Sequence, residues 1–565
     1  MCRLATILLL LGAFAAPAQA AGPVTLMPGV TYEQTVQFTP HGAVVVHVLK
    51  APRPGEQNGL YQLAPVLARN AILGGRQRVT QIQKDSSAAA TVAGINGDLF
   101  SATDAHPSGI FMSGGILAHA PLSARSSIGV DTAGALHVDR VKFFGTWKGT
   151  GQRRPLSGLN QAPAPGQVEL FTPAYGARTP RITNAASVVL QPFPATAPNV
   201  DLTATVTSAT VGGGDVVPAD GAILMATGAT AAKLQAEAPP GTSVTSRLIL
   251  QPAWTSVVAA LGGGPVLVRN AKPVFRSLED FTNDQVTQRD PRAGVGQLAD
   301  GRIVLVAVDG RQPGYSVGLT SFELAQTLQR LGAVSAAAVD PGDSVTVAFD
   351  GQLLNRPSDP SGERAVKEAL LVQYFGVFAP QLPLPLLNGD PGRSFEPLSY
   401  KIVRPSKVTA QLIGPDGVPR VLEAGVAHPP GSYPFTFTSY DAEGTWHWNV
   451  QATDDLGRPS TIDRAFRYDT TLKALSAAQP ARGRATFRFS LSRAAKVRLQ
   501  IETKTGVVMR KLVPVALQPG SQSIVWDGRL PLGTRAYSGT YVAHVFATSS
   551  VGTSDLALPF SFRRA

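Results

Sequence analysis

Val-Asp-Gly-Arg-Gln-Pro-Gly-Tyr-Ser-Val-Gly-Leu-Thr, at Val308–Thr320, opens the most informative part of the chain, Asp309–Arg364. Carboxylates, arginines and small residues recur there, and each group follows an apolar, strand-like run. The later groups are Ala-Val-Asp-Pro-Gly-Asp-Ser-Val-Thr at Ala338–Thr346, Asn-Arg-Pro-Ser at Asn355–Ser358, and Glu363-Arg364. Because strands of one sheet end at shared edges, this pattern predicts several charged side chains along one rim of a sheet. Such a rim suits anionic sugars or phosphates.

Around this stretch, short apolar runs alternate with Gly, Asp and Pro turns from Gly22 to about Phe378. The runs Ala43–Leu49 and Ile303–Val308 are predicted to be buried strands, since they are short and rich in β-branched residues. Helical periodicity is scarce. We therefore predict an α+β, sheet-rich N-terminal domain of catalytic type over residues 21–380.

Two segments have helical periodicity. Ser321–Leu331 begins with a candidate cap, Ser321, and ends before Gly332. The second candidate helix is roughly Leu63–Leu73. The first helix would present one apolar face, formed by Phe322, Leu324, Ala325, Leu328 and Leu331.

The chain beyond residue 380 has a different composition. Residues 381–396 are rich in Pro and Gly, which predicts a linker. Residues 397–470 and 471–565 then show strand-like alternation over lengths typical of all-β Ig-like sandwiches. In the second, Trp526-Asp-Gly followed by Ser538-Gly-Thr-Tyr resembles the Ig-like domain of the flagellar-hook capping protein family.

The composition is that of a folded, multidomain protein that is exported. Its 565 residues exceed one ordinary core, and 44% are apolar while 16% are charged. Residues 1–20 read as a secretory signal, with Arg3, the apolar core Ile7–Ala16 and the cleavage pattern Ala18-Gln19-Ala20. No later apolar run approaches the roughly 18 residues that span a bilayer. This predicts a secreted or extracytoplasmic protein of the periplasm or cell envelope, without a transmembrane segment.

The lone cysteine and the positive charge narrow the possible partners. Cys2 lies inside the predicted signal, so disulfides and Cys-based sites are excluded from the mature chain. Removing Arg3 lowers the net charge from +12 to +11. A basic exported protein would be drawn to anionic cell-wall polymers, although a solvated surface without a partner is also compatible. Nucleic acid is not expected, because the charges are scattered.

Common catalytic motifs are missing from the sequence. It has no His-Glu-x-x-His, no Gly-x-Ser-x-Gly and no Gly-Lys-Ser/Thr, and its eight histidines are dispersed, so no metal site is predicted. What remains is Asn96-Gly97-Asp98, the glycine run Gly262-Gly263-Gly264, and Arg292 before a glycine-containing strand. Each also has a purely structural interpretation, respectively as a β-turn, a bend and a surface ion pair.

Several blocks, in one order, resemble the phosphodiester glycosidase family. They are Ala93-Gly-Ile-Asn-Gly-Asp-Leu-Phe, Pro107-Ser-Gly-Ile, Gly262-Gly-Gly-Pro-Val-Leu-Val-Arg, Pro291-Arg-Ala-Gly-Val-Gly, Val308-Asp-Gly-Arg, Ser316-Val-Gly-Leu-Thr, Asn355-Arg-Pro-Ser and Glu363-Arg. The resemblance spans about Gly29 to Val372. It implies hydrolysis of an α-linked N-acetylglucosamine-1-phosphodiester, which frees the sugar and leaves a phosphomonoester.

The resemblance also implies a set of site residues. Asp340 is the first candidate for the catalytic nucleophile or base and Glu363 the second, while Asp309 would bind or orient sugar hydroxyls. Arginines would stabilise the leaving phosphate. The positions expected to bind substrate are Asn96, Asp98, Arg292, Arg311, Asn355, Arg364, Ser344 and Thr346.

One loop departs from the family pattern. After Asp340 the family has Gly-Gly-Gly-Ser-Ser, whereas this chain has Pro-Gly-Asp-Ser-Val at Pro341–Val345. Pro341 removes a backbone donor, and Asp343 adds negative charge where a phosphate is expected. No cofactor is expected, although a Ca²⁺ ion held by Asp340 and Asp343 would restore the charge balance.

Three functions stay open at this point. In the first, the chain is a glycosidase that hydrolyses a sugar-1-phosphodiester in envelope or extracellular glycans. In the second, it is a carbohydrate- or wall-binding protein that keeps the fold, while the altered loop no longer supports hydrolysis. In the third, the sandwiches dock a partner and the N-terminal domain is a scaffold.

Overall fold

A computed structural model describes residues 22–564, apart from 384–385, 389, 391–392, 395, 438–440 and 532. The predicted signal, residues 1–20, lies outside the described residues. The chain divides into two compact units, and the boundary in the sequence falls between Tyr374 and Phe375. Sequence composition placed the end of the first domain near residue 380.

The first unit is built on an eight-stranded antiparallel sheet. The predicted strands Ala43–Leu49 and Ile303–Val308 are confirmed and pair with each other near its middle. The strands in spatial order are Val24–Met27, Val30–Thr39, Gly42–Ala51, Ile303–Val308, Arg292–Leu298, Ala333–Ala338, Val266–Arg269 and Lys272–Pro273.

A second, five-stranded antiparallel sheet carries other parts of the site. Its strands in spatial order are Gln352–Leu353, Val347–Phe349, Thr91–Asn96, Glu368–Tyr374 and Tyr61–Leu67. The central strand, Thr91–Asn96, is buried along its whole length.

Two further sheets complete the first unit. The five-stranded one comprises Ile116–His119, Phe111–Ser113, Val257–Gly262, Ser127–Asp131 and Leu136–Asp139. The eight-stranded one comprises Arg154–Leu156, Lys142–Lys148, Ser243–Gln251, Asp201–Gly213, Arg181–Leu190, Ala222–Thr227, Val168–Phe171 and Gly158–Leu159. The first unit is therefore mostly β-sheet, which confirms the sheet-rich part of the fold prediction.

The helices are short and lie between strands. The α-helical segments are Glu56–Gly59, Val79–Ser86, Ala229–Glu237, Asn283–Thr287 and Ser321–Arg330, and the 3₁₀ turns are Ala68–Asn70 and Gly342–Ser344. Among the described residues, none of these helices has the length and apolarity needed to cross a membrane.

The predicted helix at Ser321–Leu331 is confirmed as Ser321–Arg330, with a different cap. Thr320, not Ser321, caps the helix: its hydroxyl accepts from the Glu323 N–H, and the Glu323 carboxylate accepts from the Thr320 N–H. This reciprocal pair satisfies two of the donors that a helix N-terminus leaves without partners. The buried face, with Leu324 and Leu328, packs against the valines of the first sheet.

The predicted helix at Leu63–Leu73 is wrong. Residues Tyr61–Leu67 form an edge strand paired with Glu368–Tyr374, and a 3₁₀ turn follows. Pro65 explains the difference, because proline is excluded from a helix interior but tolerated on an edge strand. The spacing of Leu63, Ala64 and Leu67 imitates a helical face by chance.

The second unit consists of β-sheets. Its first part contains the strands Leu386–Leu387, Pro459–Tyr468, Gly444–Asp454, Ser406–Ile413 and Pro419–His428, with a two-stranded sheet of Glu396–Ile402 and Gly431–Phe437. Its second part contains Leu472–Ala481, Arg484–Leu491 and Gly520–Trp526, then Val508–Lys511, Ala495–Thr503, Gly539–Thr548 and Thr553–Phe562, with Val515–Leu517 beside Ala495–Thr503. Strand Leu386–Leu387 lies inside the predicted linker 381–396 and pairs with Pro459–Tyr468.

The tryptophan and tyrosine of the C-terminal motif form the centre of that second part. Trp526 is buried, and its indole N–H donates to the Arg529 carbonyl at 3.0 Å. Its ring lies 4.7 Å from that of Phe562. The Tyr541 hydroxyl donates to the Tyr537 carbonyl at 2.9 Å. The motif residues thus serve the core of a sandwich.

Glu169, which lies outside the predicted site, should make the stability of the first unit depend on pH. It is fully buried, and burial raises its pKa from an ordinary 4.5 to about 8. Because the folded state favours the protonated acid, stability is full below pH 4.5 and falls as the pH rises through 8. We expect Glu169→Gln to stabilise the first unit by on the order of 2 kcal/mol at pH 8.5 and to change little at pH 4.

Thermal unfolding at the two pH values checks this prediction. Asp201→Asn, at an exposed position of the same sheet, serves as the control and should be neutral at both. Equal effects of Glu169→Gln at pH 4 and pH 8.5 would contradict the ionisation argument.

Candidate functional site

Three acidic residues meet where the ends of strands from two sheets approach each other. Strand Thr91–Asn96 runs antiparallel to Glu368–Tyr374, so the residues after Asn96 lie beside the start of the second strand, at Glu368. Asp340 follows strand Ala333–Ala338 of the other sheet, and its N–H donates to the Gly97 carbonyl at 3.0 Å. Topology thereby brings Asp98, Asp340 and Glu368 together. We call these three residues the acidic cluster.

Asp98 is the member with the most contacts. Its carboxylate Oδ2 lies 3.3 Å from Nη2 of Arg125, and its backbone N–H donates to Oε1 of Glu368 at 3.1 Å. Gly109 and Gly262 line it closely: a Cβ at Gly109 would lie 2.7 Å from Oδ2, and one at Gly262 closer still. These two positions therefore require glycine, which accounts for the first residue of the run at Gly262–Gly264.

Burial raises the pKa values of all three carboxyl groups. Asp340 reaches about 7 and Glu368 about 8, with desolvation as the main cause and the charge of Asp98 adding to both. The pKa of Asp98 is also raised by burial, against the lowering effect of Arg125. A buried acidic cluster in which only Asp98 has an arginine in direct contact cannot carry three full charges. It holds protons near neutral pH, which suits acid–base chemistry.

Asn96, Ser344 and Thr346 hold the Asp340 loop in place. The Asn96 amide donates to the Asp340 carbonyl at 2.8 Å and accepts from the Thr346 N–H at 3.2 Å. The Ser344 side chain hydrogen-bonds Asp340 and lowers its pKa. The Thr346 hydroxyl donates to the Ser344 carbonyl at 3.2 Å. All three are buried, and the contacts of Asn96 and Thr346 fix the backbone that presents Asp340.

Asp309 and Asn355 belong to a separate buried network. The Asp309 carboxylate accepts from Tyr315 and Asn355 at 3.0 Å each, and it lies 3.0 Å from Nε2 of His47. It also accepts from the backbone N–H of Arg356. Asn355 donates further to the Val345 carbonyl at 3.2 Å. Asp309 and Asn355 therefore connect the segments around His47, Tyr315 and Val345 to each other. Neither residue has a hydrogen bond to the acidic cluster in the described part of the chain.

Arg292 is committed to backbone carbonyls. Its Nε, Nη1 and Nη2 donate to the carbonyls of Leu319, Gln285 and Gln288, at 3.0, 2.5 and 2.8 Å. Burial lowers its pKa to about 10. The side chain clamps helix Asn283–Thr287 to the start of helix Ser321–Arg330, so the structure does not bring it into the acidic cluster.

Arg311 neutralises the unusual acid of the altered loop. Its Nη1 donates to Asp343 at 2.9 Å and its Nε to Asp290 at 2.8 Å, and the carboxylates raise the arginine's pKa. The Ser358 hydroxyl also donates to Asp343, at 2.7 Å. Asp343 is therefore paired within its own surroundings, and Arg311 has two anionic partners already.

Glu363 and Arg364 are neighbours in sequence with different surroundings. The Glu363 carboxylate accepts from the N–H and the hydroxyl of Thr80, at 2.9 and 2.6 Å, at the beginning of helix Val79–Ser86. It caps that helix outside the acidic cluster. Arg364 is half-buried, forms no ion pair with a described residue, and lowers the pKa of Asp340.

The capping contact of Glu363 predicts a structural and not a catalytic phenotype. Glu363→Gln keeps one acceptor oxygen and loses the charge that favours a helix N-terminus. We expect the free energy of unfolding to fall by about 1 kcal/mol. We expect turnover to change by less than about threefold. Denaturant unfolding together with turnover of the proposed substrate checks this, and a hundredfold loss of turnover would return Glu363 to the catalytic group.

Sequence reasoning missed Arg125, Glu368 and His119. The only signal for Glu368 is an acid next to Lys367, directly before an apolar strand, and Arg125 has none. His119 Nδ1 lies 2.7 Å from the Gly109 carbonyl and so carries the proton, while burial lowers the pKa of the ring to about 4. Its Nε2 has no hydrogen-bond partner in the described part of the chain. The neutral ring of His119 thus hydrogen-bonds Gly109, the glycine that packs against the Asp98 carboxylate.

Within the described ranges, no group of three His, Cys, Asp or Glu side chains has a geometry that could hold a metal ion. The Ca²⁺ ion considered for Asp340 and Asp343 would compete with Arg311 for Asp343.

Comparison with known proteins identifies two domains. Residues 197–373 match the model of the phosphodiester glycosidase family, and residues 475–550 match that of the FlgD Ig-like domain. A curated relative, the SPbeta prophage-derived protein YomE of Bacillus subtilis (strain 168), is 33% identical over 108 residues, which are 19% of this chain and 16% of that protein. The match therefore spans a small part of the relative.

One solved structure shares the fold over part of the chain, and a second shows a weaker similarity. A hypothetical protein from Synechocystis is 24% identical with a TM-score of 0.53, over 63% of this chain and 64% of its own. The catalytic domain of zebrafish N-acetylglucosamine-1-phosphodiester alpha-N-acetylglucosaminidase is 14% identical with a TM-score of 0.34, over 63% of this chain and 86% of its own. Residues 197–373 therefore match a phosphodiester glycosidase domain, and residues 475–550 match a FlgD Ig-like domain.

Proposed function

We propose that the protein is an exported glycosidase that hydrolyses a sugar-1-phosphodiester, of the N-acetylglucosamine-1-phosphodiester kind, in envelope or extracellular glycans. The observation that carries the proposal is the acidic cluster: Asp98, Asp340 and Glu368 are buried together beside Arg125, and burial raises the pKa of each. The family match over residues 197–373 supports the proposed reaction class.

In the proposed reaction, water attacks the anomeric carbon and the bond from that carbon to the phosphate oxygen breaks. The water gives one proton to the carboxylate of Asp340, and its remaining OH becomes the anomeric hydroxyl of the free sugar. The bonding electrons leave with the phosphate, which departs as a phosphomonoester. Because a phosphate is already a stable anion, protonation of the leaving group matters less than electrostatic stabilisation of it.

Three residues take roles in this scheme. Asp340, with a pKa of about 7, is deprotonated in a large fraction of molecules at neutral pH and can act as the base. Arg364 forms no ion pair with a described residue and lies near enough to Asp340 to lower its pKa, which supports a role in binding the phosphate, with Arg125 as a second source of positive charge. The other acid of the loop, Asp343, has no role here.

The competing proposal is a carbohydrate- or wall-binding protein without catalysis. It rests on the loop sequence at Pro341–Val345, where Asp343 would repel a phosphate. The ion pair of Asp343 with Arg311 and its bond from Ser358 weaken that argument, because the extra charge is compensated locally. We therefore favour hydrolysis. The reaction needs no cofactor, and a basic surface is suited to anionic polymers near the substrate.

The test is release of N-acetylglucosamine from an α-N-acetylglucosamine-1-phosphate diester by the purified mature chain. Sugar and phosphomonoester should appear in equal amounts. A simple alkyl glycoside of the same sugar, which lacks the phosphate, is the matched control substrate and should be left intact. Tight binding of the diester without any release would favour the non-catalytic alternative.

A further inference from the structure

A polar cleft of about 410 Å³ lies on the first unit, between the edge strand Leu136–Asp139 and one face of the eight-stranded sheet that contains Ala333–Ala338. Its polar lining consists of His137, Asp139, Arg269, Asn270, Gln297 and Ser335, and no residue of the acidic cluster lines it. Ser335 precedes Asp340 by five residues along an extended strand, which separates the two places by about 16 Å. The cleft is therefore distinct from the acidic cluster.

A row of three polar side chains forms the floor of the cleft. Gln297, Ser335 and Arg269 lie directly opposite one another on three adjacent strands, with Ser335 in the middle. Residues paired in this way point to the same face of a sheet. The other face of these strands packs in the apolar core with helix Ser321–Arg330, so the polar row faces the cleft.

Gln297 holds the edge strand beside this row. Its amide donates to the carbonyls of Gly134 and Gly301, at 2.7 and 3.0 Å, and accepts from the Leu136 N–H at 3.0 Å. The Leu136 N–H therefore points away from its partner strand, and Val138, two residues further along, has the same orientation. The N–H and C=O of Val138 thus face the cleft without a partner in the sheet.

The free charge at the cleft is positive. Arg269 and Lys272 lie directly opposite each other across the turn of a hairpin, and both are exposed. Neither forms an ion pair with a residue that the structure describes. Like charges directly opposite each other are destabilising. An anion bound between the two side chains would relieve this repulsion.

The acids near the cleft are engaged elsewhere. The Asp139 carboxylate accepts from the Trp254 indole N–H at 3.0 Å, and the Asp131 carboxylate lies 2.9 Å from Nε2 of His137. Neither acid neutralises Arg269. In the described ranges, the side chains of Asn270 and Ser335 also have no hydrogen-bond partner. The cleft therefore offers cations to an anion and polar groups to hydroxyls.

The size and the lining of the cleft fit a sugar. A lone inorganic anion would leave most of 410 Å³ empty, whereas hydroxyl groups can both donate to and accept from the Val138 backbone, Asn270 and Ser335. An added peptide strand fits less well, because the Leu136 N–H is already used and the edge strand ends at Asp139. This edge offers a peptide the groups of Val138 alone.

We propose that the cleft is a second, non-catalytic binding site for an anionic sugar unit, a sugar that carries a phosphate or a carboxylate. The guanidinium of Arg269 and the ammonium of Lys272 bind the anionic group, while Ser335, Asn270 and the Val138 backbone bind hydroxyls. The site does not depend on the proposed hydrolysis. In an enzyme that acts on anionic glycans, it would hold one unit of the polymer while the acidic cluster acts on another.

Calorimetric titration of the purified mature chain with glucose 6-phosphate, glucose and inorganic phosphate tests the proposal without turnover. Glucose 6-phosphate should bind at least about fivefold more tightly than glucose or phosphate, because it makes both kinds of contact. Arg269→Gln combined with Lys272→Gln should weaken its binding roughly tenfold. Glucuronate, titrated in the same way, distinguishes the two sources of charge: the tighter of the two anionic sugars identifies the group as phosphate or carboxylate.

A matched double variant controls for net charge. Lys142→Gln combined with Lys148→Gln removes the same charge from exposed positions of another sheet and should change affinity by less than about twofold. The variant of Arg269 and Lys272 should unfold at the wild-type temperature or above, because it removes a repulsion between like charges. Its reduced binding would then not reflect a loss of folding.

The other outcomes separate the cleft from the reaction. Equal affinity for phosphate and glucose 6-phosphate, equal losses in the two double variants, or tighter binding of tetraglutamate than of either anionic sugar would overturn the proposal. So would a loss of diester turnover beyond about threefold in the variant of Arg269 and Lys272, which would place them in the catalytic site. If the sugar binds as expected while no diester is cleaved, the proposed function fails and the cleft assignment stands. If diester is cleaved while the double substitution leaves sugar binding unchanged, the hydrolysis stands and the cleft assignment fails.

Discussion

Replacing Asp340 by Asn should reduce kcat for the sugar-1-phosphodiester by about a thousandfold, which is the range for loss of a general base. The substitution is nearly isosteric and removes only the ionisable group. The backbone bond from Asp340 to Gly97 and the bond from Asn96 to the Asp340 carbonyl do not involve the carboxylate, so the loop should keep its position. Because burial of the charged form is unfavourable, the variant should unfold at the same temperature or higher.

Asp343→Asn is the matched control for this experiment. It removes a carboxylate from the same loop, three positions along, whose partners are Arg311 and Ser358. We expect turnover to stay within about fivefold of wild type. Comparable losses in both variants would show that the loop as a whole, and not the Asp340 carboxylate, supports the reaction. A wild-type rate for Asp340→Asn would remove it from the mechanism.

Two residues of the acidic cluster, Asp98 and Asp340, were predicted from the sequence, and both lie just after regular strands. Asp98 and Asp340 each follow a buried apolar run, and strand ends gather at a rim, so their proximity could be inferred without coordinates. Arg125 and Glu368 come from a loop and from the beginning of a strand, with no pattern around them. Their place in the site depends on strand order, which a linear sequence does not give.

Other polar residues of the same blocks serve the fold around the site. Arg292, Asp309 and Glu363 are charged residues of the blocks that resemble the family, yet their hydrogen bonds go to backbone carbonyls, to a His–Tyr–Asn network and to a helix start, respectively. From the sequence alone, a buried charge that holds backbone and a buried charge that meets substrate have the same residue type and the same spacing. The two kinds of buried charge are distinguished by how many hydrogen-bond partners each side chain has in the structure.

The pH profile is the second large expected effect, and it depends on Glu368. Its Oε1 accepts from the Asp98 N–H, and its Oε2 has no hydrogen-bond partner among the described atoms, so a charge on Glu368 would lie directly beside Asp98. Below about pH 8 it is protonated and neutral; above that it adds a negative charge beside Asp98 and opposes binding of an anionic diester. Asp340 must lose its proton to act as base, which happens as the pH rises through about 7.

For wild type, kcat/KM should therefore rise through about pH 7 and fall above about pH 8. Glu368→Gln cannot ionise and should keep the acid limb while it loses the alkaline limb, so that it exceeds wild type by roughly tenfold at pH 9. Its activity at pH 6.5 should remain within about threefold of wild type, because the amide resembles the protonated acid. A full pH profile of both proteins measures this. An unchanged alkaline limb in Glu368→Gln would mean that another group sets it, and a loss of activity equal at every pH would mean that Glu368 supports the structure of the site and not its charge.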